Sequence, residues 1–276
     1  MSRPTARSMT AVVTVAAVAA VLAGCSAAPT PTTRSASSRA SDTAVHDAPD
    51  TDAEPTPEGP TLAEPAPLDV VFPDPALAEC VSQGLDRAPL DITISQTTLD
   101  HVTDPQAKEA WAPGIEKPYA EYGVEPLGDE FGWLSCHDRI RNPEGMQYLR
   151  KLGFLNLEQG VEDLAPIGRM TALRILYVNE DDFEGPHSAT HDLSPLSSLQ
   201  NLDALALEGV KSDDFSVLSS LPSLVSLSLR ESSIRDLDVV ATLSKLRELD
   251  ITGTQVTDLT PVEPVVAFGQ LKVWGP

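Results

Sequence analysis

The sequence predicts an α/β repeat solenoid, and three observations predict it. Leucines recur with a 22-residue period, in "LDALALEGVKSDDFSVLSSL" from Leu202, "LVSLSLRESSIRDLDVVATL" from Leu224 and "LRELDITGTQVTDLTPVEPV" from Leu246. Each period pairs an apolar stretch with a short turn led by an aspartate, one strand and one helical turn per coil. The composition also changes sharply near residue 67, which sets the repeats apart from a non-globular leader.

The leader starts with Arg3 and Arg7, followed by residues 11–24, "AVVTVAAVAAVLAG", without a charge. A basic start, a short apolar run and small residues before a break form a secretory signal pattern. The run is shorter than the roughly 20 apolar residues of a membrane span. Leu22-Ala23-Gly24-Cys25 resembles the bacterial lipobox. That resemblance implies a signal peptide over 1–24 and Cys25 as the lipidated new N-terminus. From Ser26 to Pro67, prolines at 29, 31, 49, 55, 57, 60, 65 and 67 stand among Ser, Thr, Ala, Asp and Glu, with no aromatic before Phe72. Such a segment cannot bury enough apolar surface to offset its ordering entropy, so 25–67 reads as an extended disordered stalk.

The chain carries 19 Lys+Arg against 41 Asp+Glu, a net charge of −22. Phosphate backbones require basic contacts, so nucleic acid is excluded as a partner, and adhesion to anionic lipid by charge is disfavoured.

Residues 68–130 read as an N-terminal cap plus an irregular insertion. In "FPDPALAECVSQGL", Phe72–Leu85, Asp74 is an N-cap and Pro75 the first helical residue. Ala76, Leu77, Cys80, Val81 and Leu85 then fall mostly on one helical face. Residues 103–130 fit no repeat, but Trp111, Tyr119 and Tyr122 suggest that this insertion packs on something.

Residues 131–276 hold the repeats. Inward positions are Phe131, Leu134 and Cys136; Leu152, Leu155 and Leu157; Leu173, Leu176 and Val178. They continue as Leu202, Leu205 and Leu207; Leu224, Leu227 and Leu229; Leu246, Leu249 and Ile251; and a truncated closing unit of Phe268, Leu271 and Val273. The unit from Leu173 is lengthened by Asn179–His191. Asp163, Asp192, Asp214, Asp236 and Asp258 open the second halves, with prolines at 166, 195 and 261, and predict short turns of the tighter helical kind.

The L-x-x-L-x-L signature resembles leucine-rich repeats, and the 22-residue unit with Asp-Leu-x-Pro resembles their internalin-like bacterial subfamily over about residues 73–276. The resemblance implies short parallel strands on a concave face, helical turns on the convex side, an N-terminal helical cap and a binding surface. It departs at one point. Gly160, Asp181, Val210, Ser232 and Thr254 stand where the family places a laddering Asn, so a less regular solenoid is expected. Aligned on this family, Cys80 lies on the buried face of the cap and Cys136 inside the first repeat, which implies a disulfide between them. The alternative is two free buried thiols.

Outward positions include Trp133, Ser135 and His137; Phe154, Asn156 and Glu158; Ile175, Tyr177 and Asn179. Later coils present Ala204, Ala206 and Glu208; Ser226, Ser228 and Arg230; Glu248, Asp250 and Thr252. Large apolar residues facing out need a reason, so Trp133, Phe154, Asn156, Ile175 and Tyr177 are the predicted ligand-binding patch. The alternative is that the 103–130 insertion folds over Trp133 and Phe154.

Enzyme motifs are absent, and neither a catalytic residue, a cofactor nor a metal is predicted. The rival to a binding protein is a metal-dependent module or hydrolase using His187, His191 and the acidic residues Glu180, Asp181, Asp182 and Glu184. Ser188 breaks the H-E-x-x-H pattern, and Gly185-Pro186 indicates a loop. Cys136 and His137 are adjacent on a strand, so their side chains point to opposite faces and do not form a nucleophile–base pair. The expected partner is an envelope or extracellular protein, with a cell-wall glycan as second choice, met by a protein lipid-anchored on the extracytoplasmic side of a cell membrane.

Overall fold

The computed structural model describes residues 59–112, 122, 124–180, 190–264 and 271–275. The chain divides into two units, Met1–Asp52 and Ala53–Pro276, and every described residue lies in the second. Cys25, the 1–24 leader, the stalk up to residue 58, Tyr119, Asp181, Asp182, Glu184, His187 and Phe268 fall outside the described residues. Among the described residues no helix is long and apolar enough to cross a membrane.

The cap is built from β1 (Ala66–Pro67), α1 (Leu68–Val71), α2 (Pro75–Gln83), β2 (Thr93–Ile94) and α3 (Gln96–Leu99). β1 pairs antiparallel with β2. Residues 59–67, read from sequence as the end of the stalk, belong to this cap instead. The Leu62 N–H donates to Gln96 Oε1 at 2.8 Å, and Leu62 and Ala66 pack on the core. Two apolar anchors close together suffice to order a short proline-flanked strand.

Asp74 caps α2 and ties it to the first coil. One carboxylate oxygen accepts from the N–H groups of Ala76 and Leu77, at 2.9 and 3.1 Å. The other accepts from Arg141 and Asn142, both at 2.9 Å. Burial pushes this carboxyl up, but the four backbone donors outweigh it and hold Asp74 below the usual carboxylate range. Asp74→Asn places an NH₂ against one pair of N–H donors and is expected to destabilise the domain by about 2 kcal/mol. A group whose folded pKa is depressed stabilises above its unfolded value, near pH 4, and loses that contribution as pH falls through the folded value. Urea unfolding at stepped pH should therefore show the wild-type advantage in full at pH 7 and closing below about pH 4. An advantage independent of pH would refute the charged cap.

Seven strands follow: β3 (Gly132–Cys136), β4 (Leu152–Leu157), β5 (Ile175–Asn179), β6 (Ala204–Glu208), β7 (Ser226–Ser228), β8 (Glu248–Asp250) and β9 (Lys272–Trp274). They lie side by side in chain order, all parallel, one per coil. Side chains alternate between faces. Leu134, Leu155, Leu176, Leu205, Leu227 and Leu249 are in register across six strands, each no more than 1 % exposed. They form a leucine column through one continuous core.

Opposite the sheet run the 3₁₀ turns η1 (Met146–Tyr148), η2 (Ile167–Arg169), η3 (Ser194–Ser198), η4 (Ser216–Ser220) and η5 (Val240–Thr242). The leading aspartates act just before these turns rather than as their N-caps. Asp163, Asp192, Asp214 and Asp258 accept from the N–H two residues on, at 2.7–2.9 Å, and Asp236 does so at 3.4 Å. These are Asx turns that aim the chain into the 3₁₀ segment.

Two registers differ from the sequence expectation. Phe131 is not the inward partner of Leu152. Gly132 takes that place, and a shift in the pairing between Gly132 and Trp133 turns Phe131 to the opposite side of the sheet, against Leu127 and Gly153. A Cβ on Gly132 would come within 2.1 Å of the Val102 carbonyl oxygen, so only glycine lets the cap approach so closely. In the last coil Leu249 pairs with Val273, not with Leu271. That coil is two residues longer than the period predicts, a shift that keeps Lys272 and Trp274 on the outward face and sets them beside Glu248 and Asp250.

The Asn ladder is replaced by other groups. At Gly160, Glu180 Oε1 accepts from the Val161 N–H at 3.3 Å. Further along, Ser212 Oγ donates to the His191 carbonyl and Ser233 Oγ to the Ser212 carbonyl, both at 2.8 Å. Ser232, at the family's ladder position, leaves its buried hydroxyl without a partner.

Candidate interaction surface

The structure joins Cys80 of α2 to Cys136 of β3, with Cα atoms 5.3 Å apart. The bond crosses the seam between cap and solenoid.

The outward face of the sheet has three rows, and the first is covered. Residues 105–112 are helical and lie over it. Trp111 places its ring 5.8 Å from Phe154 and 5.6 Å from Tyr177. Trp133 stacks on Phe154 at 4.8 Å, and Tyr177 meets Phe154 edge-on at 5.9 Å. With Ala107, Ala112, Leu127, Ile175 and Ala204 these residues form a second apolar core. Trp133, Phe154 and Asn156 are fully buried, Ile175 is 3 % exposed and Tyr177 is half-buried. The predicted exposed patch is therefore corrected to an interior. The insertion has its own apolar residues at helical spacing, Ala107 and Trp111, and burying them on the apolar row removes both surfaces from water.

The insertion is latched at its far end. The Tyr122 hydroxyl donates to Glu248 Oε1 at 2.7 Å and accepts from Lys272 Nζ at 2.8 Å. Burial raises the Tyr122 phenol, the hydrogen bond from Lys272 opposes the rise and Glu248 adds to it. Arg174 pairs with Asp203 and donates to the Glu125 carbonyl at 3.1 Å. Burial pushes the Asp203 carboxyl up, against the pull of Arg174.

The rows left open lie toward the C-terminal ends of the strands. The middle row is Ser135, Asn156, Tyr177, Ala206, Ser228, Asp250 and Trp274, open from Ser228 onward. The last row is His137, Glu158, Asn179, Glu208, Arg230 and Thr252, all half-buried or exposed. His137 Nδ1 lies 3.0 Å from Glu158, and Ser228 Oγ donates to Glu208 at 2.9 Å. Asp250 accepts from the Thr252 N–H at 2.9 Å. Of these two rows sequence reasoning singled out Asn156 and Tyr177, both on the covered side, and named the open polar positions only as outward. It did not name Trp274, because no outward positions were assigned in the truncated closing coil, although Trp274 faces outward in either register.

His191 is 8 % exposed, with Nε2 3.4 Å from Glu180 Oε1. Glu180 also faces Arg139 at 3.5 Å. These contacts occupy His191 within the solenoid, and among the described residues no three His, Cys, Asp or Glu side chains are grouped to hold a metal.

One strand per coil, a continuous parallel sheet, a leucine column behind it and 3₁₀ turns opposite define a leucine-rich-repeat α/β solenoid. No protein-family model matches the chain, and no curated protein does. Among solved structures, internalin C2 of Listeria monocytogenes is similar at 22 % identity and a TM-score of 0.47, over 78 % of this chain and 100 % of that one. The secreted internalin-like protein Lmo2445 of the same organism is similar at 16 % identity and a TM-score of 0.49, over 78 % and 66 %. A Leptospira interrogans leucine-rich-repeat protein, LIC12759, is similar at 20 % identity and a TM-score of 0.34, over 50 % and 40 %.

Proposed function

We propose that the chain is a lipid-anchored, extracytoplasmic, non-catalytic binding protein that holds a protein partner on the open rows of its concave sheet. The observation that carries this reading is the sheet itself. Its apolar row is closed by the insertion, while a polar and charged strip across β4–β9 faces outward. A protein fits this strip better than a glycan, which stacks on exposed rings, because Trp274 is the one exposed aromatic among the described residues. The anchor rests on Leu22-Ala23-Gly24-Cys25 after an uncharged run, and the Pro/Ser/Thr-rich stalk would hold the solenoid off the bilayer.

Two measurements test this reading. Acyl chains contribute about 0.8 kcal/mol of membrane affinity per buried CH₂, so Cys25→Ser should move the protein out of the membrane fraction. A variant held there as firmly as wild type would remove the anchor. Affinity capture from solubilised native envelope, with wild type and with Trp274→Ala/Arg230→Ala, tests the face. Loss of a captured protein at unchanged melting temperature supports it, and undiminished capture by the variant moves the partner elsewhere.

A further inference from the structure

We infer that the open strip takes a basic segment of the partner, read by Glu158, Glu208 and Asp250. This rests on the reading of the concave sheet as the binding face. The three carboxylates come from the end of β4, from β6 and from β8. Alternate strands lie about 10 Å apart, the distance an extended chain covers in about three residues. A partner segment laid obliquely across the sheet as a polyproline II helix, with three residues and about 9 Å per turn, would thus turn every third side chain, a Lys or Arg, toward one carboxylate, Glu158 and Glu208 in the last row and Asp250 in the middle row.

The fold leaves these charges to an outside donor. Glu158 meets His137, Glu208 meets Ser228 and Asp250 meets the Thr252 N–H, and no lysine or arginine among the described residues pairs with any of them. A second observation is independent of charge. Asn156 is fully buried beside Glu158 and gives its amide N–H₂ to Ser135 Oγ at 2.9 Å and Glu158 Oε1 at 3.4 Å, while its carbonyl oxygen has no donor. Asn156 thus steadies the Glu158 carboxylate from beneath the strip and does not meet the partner itself. Trp274, 46 % exposed, closes the strip with a ring that a cation can cover. Arg230 is the one opposing charge in the last row, just past β7 and between the strands that carry Glu208 and Asp250, and calls for a neutral or acidic residue facing it. The net charge of −22 would steer a basic segment toward the protein before it docks.

The test uses full-length protein and three labelled heptapeptides, with arginine, glutamine or glutamate at positions one, four and seven and alanine elsewhere. Binding is read by fluorescence anisotropy at about 0.15 M salt, where long-range charge is screened. E158Q/E208Q/D250N should weaken the arginine peptide at least tenfold. The convex control D163N/D236N/D258N, with the same change in charge, should alter it less than twofold. Arg230→Glu, at an exposed side chain that folding does not need, should tighten it at least threefold. Equal weakening by the concave and convex variants would reduce the effect to diffuse charge and overturn the proposal. If the glutamine or glutamate peptide binds as well as the arginine one and E158Q/E208Q/D250N abolishes it, the sheet remains the binding face but the basic partner is wrong. If none of the peptides binds, the proposal fails, while envelope capture through Trp274 and Arg230 still judges the face.

Discussion

Phe154→Ala is expected to lower the stability of the domain by about 3–5 kcal/mol, as much as truncating a leucine of the main core. The ring is fully buried, stacked on Trp133 and met edge-on or at a tilt by Tyr177 and Trp111. Removing it loses the transfer energy of the ring and leaves a cavity that stiff aromatic neighbours cannot fill. Each aromatic pair adds about 0.5–1.5 kcal/mol beyond burial. Leu155→Ala, on the opposite face of the same strand, is the reference at about 2–5 kcal/mol. Urea unfolding of both variants decides the matter. A loss under about 1 kcal/mol for Phe154→Ala would mean that the insertion does not cover the row in solution, and the aromatic patch would return as a binding surface.

Replacing Cys80 and Cys136 together by alanine is expected to destabilise the domain by about 4 kcal/mol. The bond closes a loop of 56 positions, and chain entropy alone gives that size for such a loop. The loop contains β2, α3 and the whole insertion, so freeing it loosens the segment that covers the second core. Thermal unfolding of the double variant, against wild type with and without reductant, measures the effect. A variant as stable as oxidised wild type would refute a stabilising bridge.

The inward leucines were legible in the sequence because each coil repeats the packing of its neighbour, so period and burial have one cause. Leu155 and Leu205 sit where a ruler of 21 residues in the early coils and 22 in the later ones, adjusted for one insertion, places them. The ends were harder to read. Phe131 and Leu271 each have a coil on one side only, and there a shifted pairing or two extra residues leave no mark in the period. The candidate face was half legible. Outward positions could be named from alternation, but Phe154 looks the same in sequence whether water or Trp111 lies over it. That choice is made by the 103–130 insertion, which stands outside the repeat period and whose docking is purely tertiary.

The latch at Tyr122 changes how the molecule must come apart. A stack of coils has only nearest-neighbour contacts and can fray from either end, one coil at a time. Here Tyr122 bonds to Glu248 across 126 positions and to Lys272 across 150, so a segment emerging before β3 grips the last two strands. Peeling β9 away therefore also breaks a closure of more than half the chain. Contacts of such long range raise the contact order, slow folding and favour unfolding as one event. The chain behaves less like a zipper, open at its free end, than like a buckled belt, whose last link holds only while the first is fastened.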